Sequence, residues 1–113
     1  MHRFLISFDD GSMNHLDADD LQAASIESHA VVADAKRAGV WIFGGGILHQ
    51  RASVAQVDGT IVDGPDPASK VALGGLVIIE CETRDEAHDW AARFAAACRC
   101  AQEVREIAYD PES

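Results

Sequence analysis

Five histidines and a large surplus of carboxylates are the groups in this sequence with acid–base chemistry to offer near neutral pH. His29 leads among them. It lies in a run of helical periodicity, one turn after Ser25 and one turn before Ala33, on the flank of an apolar stripe. From a flank a side chain reaches the end of an adjoining sheet while one ring nitrogen stays near solvent. The ordinary pKa of an imidazole, about 6.5, suits proton transfer there. The alternative is a partly buried helix histidine that only hydrogen-bonds a neighbour.

A catalytic imidazole needs a group to orient it. Asp34 follows five residues after His29, which puts it well around the helix and makes it a poor direct partner. Asp63, just before Gly64-Pro65, is better placed to face a site, though an Asp in that setting also forms a turn through its own backbone. Asp9 and Asp10, ending the first apolar run, rank third and read more simply as loop residues. Lys70 either holds an anionic group of a substrate or pairs with one of many surface carboxylates. His49 follows a glycine-rich bend and is placed to line the same cleft. Arg105 does likewise or balances Glu80 across a sheet.

Other chemistries lack their residues. Gly44-Gly45-Gly46 has neither the Lys-Ser/Thr nor the following helix of a phosphate loop. Ser25, Ser28 and Ser53 sit in no nucleophile elbow. Cys98-x-Cys100 matches no zinc spacing, and Cys81 in an apolar strand reads as a small buried hydrophobe. Neither a metal nor a dedicated cofactor is expected.

The elements that must position these residues follow from periodicity. A strand spans 3–9, with Phe4, Ile6 and Phe8 on one side. A helix over 18–38 opens on Asp17, Asp19 and Asp20, which suit free N–H groups and the positive end of the dipole, and it closes on Lys36, Arg37 and Gly39. Its apolar stripe is Leu21, Ala24, Ser28, Val31, Val32, Ala35 and Ala38. Val40 to Phe43, continuing through the glycines, reads as a strand buried on both sides. Residues 53–63 form a hairpin about Asp58-Gly59, the pair favoured in a type I′ turn. Leu76 to Cys81 is a second apolar strand. Thr83 and Glu86 form a capping box for a helix that buries Ala87, Trp90, Ala91, Phe94, Ala95 and Cys98, with Asp89 and Arg93 set to pair on its far side. A last strand runs from Glu103 to Ala108.

The 113 residues make one domain over 1–113. Without the hairpin its order is the split βαβ pattern, an α+β, ferredoxin-like βαββαβ fold. Two helices cover one face of such a sheet, yet the strands offer apolar residues to both. A second copy is the simplest cover, which predicts a homodimer with a shared barrel-like core. A net charge of −10, from 19 acidic and 9 basic residues, argues against nucleic acid as a partner. No apolar run approaches the length of a membrane span and the start does not read as a signal peptide, so the expected location is cytoplasmic, with no membrane partner.

An ordered series of short motifs resembles the YCII-related family and, within it, the DGPF-type branch. It comprises His29, Ala38-Gly39-Val40-Trp41, Gly45-Gly46, Val62-Asp63-Gly64-Pro65, Lys70, Leu73-Gly74-Gly75-Leu76, Asp85-Glu86-Ala87, Trp90-Ala91-Ala92 and Glu103-Val104-Arg105. Asp66 stands where the branch has Phe, and Val71 where an acidic residue often follows the lysine. The resemblance implies a dimeric ferredoxin-like α/β barrel and a cleft with a His–Asp acid–base pair. It also implies small-molecule degradation as the activity of some members. Two functional expectations follow. One is a cofactor-independent small-molecule enzyme in which His29 transfers the proton, Asp63 orients it, and Lys70, His49 or Arg105 binds substrate. The other is a non-catalytic ligand-binding or regulatory module acting as a homodimer.

Overall fold

The apolar side chains of the first strand decide which way the sheet faces. In β1 (His2–Asp9), Phe4 and Ile6 point to one side and are fully buried, while Leu5 between them points to the other and is only partly covered. The computed structural model, which describes residues 1–48, 52–66 and 72–113, continues with α1 (Ala18–Arg37), β2 (Trp41–Gly46), β3 (Ser53–Ala55), β4 (Ile61–Asp63), β5 (Leu73–Cys81), α2 (Arg84–Cys98) and β6 (Glu103–Glu106).

Four strands pair in the order β2-β5-β1-β6, all neighbours antiparallel, which is the ferredoxin-like arrangement once the hairpin is set aside. Phe4 lies opposite Ile79 and Ile6 opposite Val77, so these four share a face. Ala35 of α1 and Ala87 and Ala91 of α2 pack onto that face. Small residues at these positions bring both helices close to the sheet.

The helix ends follow their capping residues. The Asp17 carboxylate accepts a hydrogen bond from the Asp20 N–H at 2.8 Å, and the Thr83 hydroxyl accepts one from the Glu86 N–H at 3.2 Å. Gly39, with φ of 76°, lets the chain leave α1 in a left-handed conformation.

Four expectations need correction. Val40 to Phe43 was expected to be a strand buried on both sides, but β2 is an edge strand with Ile42 and Phe43 exposed. Among the described residues β5 is its one paired neighbour, and its apolar run faces solvent at Ile42 and Phe43. The hairpin turn is not type I′, because that turn requires a positive φ at Asp58 and only Gly59, at 92°, has one. Instead the Gly59 N–H bonds to the Gln56 carbonyl at 3.0 Å, and Asp58 accepts from the Thr60 N–H and hydroxyl at 3.0 and 2.8 Å. Arg93 does not serve Asp89 on its own helix; it reaches across to Asp34 of α1 and lies 4.9 Å from the centre of the Trp90 ring. Finally, the partner of Glu80 across the sheet is Arg3, at 2.9 Å, and not Arg105.

Among the described residues no helix covers the second sheet face. Leu5, Leu76 and Ile78 are partly exposed there, and Phe43, opposite Ile78, is 63% exposed. The β3–β4 hairpin pairs with itself, and Val57 and Ile61 project into solvent. No helix among the described residues is long and apolar enough to cross a membrane.

Candidate functional site

The helix layer leaves a gap where α1 passes β2. Of the stripe on α1, only Ala24, Val31 and Ala35 are buried. Leu21, Ser28 and Val32 instead face the strand that carries Gly44-Gly45-Gly46. On the helix side of that strand Gly44 and Gly46 supply no side chains, and only the Trp41 ring covers Gly44. The result is a cavity of about 520 Å³, within the range of small-molecule sites.

Its walls are largely apolar. Phe8, Trp41 and Phe94 all line it, and the Trp41 and Phe94 rings lie 6.4 Å apart at a tilt of 38°. Close packing beneath the rings depends on glycine. A Cβ on Gly44 would stand 2.8 Å from the Trp41 ring, and one on Gly75 would stand 2.7 Å from the Phe8 ring.

His29 lines this cavity from α1, in keeping with its flank position. Its Nδ1 lies 2.6 Å from the backbone carbonyl oxygen of Ser25, one turn earlier. A carbonyl only accepts, so Nδ1 carries the proton and donates. The lone pair of the neutral ring is therefore on Nε2. The Ser28 hydroxyl donates to the same carbonyl at 3.1 Å. The site thus holds an imidazole whose tautomer is set by the helix backbone.

The other sequence candidates are distributed differently. Asp63 ends β4 in the projecting hairpin, is exposed, and is not among the residues lining the cavity. Within one chain the structure does not bring it to His29, and the Ser25 carbonyl holds Nδ1 instead. His49 and Lys70 lie outside the described residues. Arg105 sits opposite Leu5, on the uncovered face, and pairs with Glu103. Asp34 is occupied by Arg93 and Arg37; the hydrogen bond from Arg93 is the main cause holding its carboxyl below the usual range. Asp9 borders a smaller concavity of about 360 Å³ with His15 and Arg99, and Arg99 is paired with Glu27. Asp10 is exposed in the following loop, where its N–H bonds to the Ala72 carbonyl at 2.7 Å.

Residues not singled out from the sequence complete the cavity. Lys36, whose charge also complements the dipole of α1, lines it. It follows His29 by seven residues, a spacing that was a legible sign of a shared helix face. Cys98 also lines it, and burial pushes its thiol above the ordinary range, so it is protonated at neutral pH. No group of three metal-ligating side chains occurs among the described residues.

Residues 4–109 match the family described as YCII-related domain. None of the curated proteins matches the chain. Among solved structures, the chain is similar to 5-chloro-2-hydroxyhydroquinone dehydrochlorinase (TftG) from Burkholderia phenoliruptrix AC1100, in complex with 2,5-dihydroxybenzoquinone. The two share 19% identity over 99% of this chain and 98% of the other, with a TM-score of 0.55. That likeness establishes a common fold.

Proposed function

We propose that this chain, which belongs to the YCII-related family, is a cofactor-independent small-molecule enzyme that uses His29 as its general acid or base and works as a homodimer. The observation that carries this reading is the hydrogen bond from Nδ1 of His29 to the Ser25 carbonyl, beside an apolar cavity large enough for a small ligand. A fixed tautomer gives Nε2 one role at each stage: it takes a proton from the substrate as the neutral ring and returns it as the imidazolium.

Proton abstraction, elimination and hydrolytic dehalogenation all need such a group. The structural neighbour is named as a dehydrochlorinase, and a small-molecule enzyme on the same fold supports the reading at the level of class. The homodimer rests on the uncovered face, where Leu5, Phe43, Leu76 and Ile78 lie between the Arg3–Glu80 and Arg105–Glu103 ion pairs.

The test is a thermal-shift screen with small polar acids and aromatic compounds, followed by product analysis for each hit. Replacing His29 by Gln is expected to lower turnover about 10²–10⁴-fold while the protein remains folded. Unchanged turnover in that variant would overturn the assignment. Ligands that stabilise the protein without product, across the whole set, would favour a non-catalytic binding module instead.

A further inference from the structure

The charges around the cavity run against the charge of the chain. Carboxylates outnumber basic side chains 19 to 9 overall, yet no Asp or Glu is among the described residues that line the cavity. Its ionisable lining residues are His29, Lys36 and Cys98, and burial keeps the thiol neutral. The remaining bases differ from Lys36 in a second way. Each of the six described arginines (Arg3, Arg37, Arg84, Arg93, Arg99 and Arg105) is paired with a carboxylate. Among the described lysines and arginines, Lys36 is the one without an ion pair, in a protein with carboxylates to spare. An ammonium group beside an apolar, carboxylate-free cavity creates a local positive potential that selects for anions.

We infer that Lys36 is the anion anchor of this cavity and that its ligands are single-ring aromatic compounds carrying a carboxylate or phenolate oxygen. The ring is specified by the walls: Trp41, Phe94 and Phe8 present flat apolar surface that suits offset stacking or edge contacts with another ring. Size is set by the helix. Seven residues separate His29 from Lys36, a rise of about 10.5 Å along nearly the same face. With His29 bent back toward Ser25, that interval leaves room for one substituted ring, its oxyanion on the ammonium and its opposite end near Nε2 of His29. Lys36 would therefore set substrate choice and orientation, while proton transfer remains with His29.

This inference rests on the cavity being the site proposed above, but binding can test it without turnover. Calorimetric titrations of the full chain would compare benzoate, its neutral isostere benzamide, and acetate, which has the charge without the ring. Wild type is expected to bind benzoate about tenfold more tightly than either. Lys36→Gln should lose about that factor for benzoate and leave benzamide unchanged, and Lys36→Arg should restore the preference. Lys36 is exposed on its helix, so neither change threatens the fold. Equal affinity for benzoate and benzamide, equal affinity for benzoate and acetate, no binding by wild type, or a preference that survives Lys36→Gln would each overturn it. Anion selectivity through Lys36 without turnover of any aromatic acid would sink the enzymatic reading alone. Turnover through His29 without anion selectivity would sink this inference alone.

Discussion

A Cβ on Gly44 would approach the Trp41 ring to 2.8 Å, the Leu76 carbonyl oxygen to 2.9 Å and a Val77 methyl to 3.0 Å. The indole has some freedom to swing away, but the carbonyl belongs to the paired strand and does not. Gly44→Ala should therefore destabilise the fold by about 1–3 kcal/mol and displace Trp41 from the cavity wall. Thermal denaturation and near-ultraviolet circular dichroism would read the two effects, and an unchanged spectrum would refute the role given to this glycine. His29 makes the complementary point. Its place on a helix was legible from spacing, but the hydrogen bond that sets its tautomer was not. The carbonyl one turn earlier is available to any side chain that bends back along the helix, and only the fold determines whether His29 does so.

At the scale of elements, α2 owes its start to Thr83 and its anchorage to Phe94, which is buried against Val31 and borders the cavity. Thr83→Ala should cost about 1 kcal/mol, the usual loss when an N-cap acceptor is removed. Phe94→Ala should cost about 3–5 kcal/mol in chemical denaturation, because it deletes a full aromatic side chain from the layer between helices and sheet. A cost near that of Thr83→Ala would mean that the helix is not held by this contact. The ion pair from Arg93 to Asp34 also joins the helices, but it is solvent-exposed and secondary to packing.

For the whole molecule the decisive feature is the uncovered sheet face. Phe43, 63% exposed, lies there beside Ile78, with Leu5 and Leu76 on the same side. Apolar surface of this kind is rare on a monomer, which supports the proposed homodimer. Sedimentation equilibrium should therefore give twice the 12.1 kDa chain mass at micromolar concentration, and Phe43→Asp should return it to one without loss of helical circular dichroism. A soluble single-chain species in the unmodified protein would contradict the homodimer.

Local chemistry carried much of this fold to the surface of the sequence. Alternation in β1, the caps of Asp17 and Thr83 and the 3.6-residue stripe of α2 each depend on neighbours within a few residues, and each was readable in order along the chain. The cavity was not. It exists because α1 crosses β2 where Gly44 and Gly46 turn no side chains toward the helix, and that depends on how two segments meet in space. For the same reason the apolar run at Val40 to Phe43 does not reveal its exposure: hydrophobicity shows that a strand wants cover, but strand order alone decides which faces and edges receive it. Lys36 likewise becomes a candidate only when the tertiary structure pairs each described arginine and leaves this lysine at the cavity.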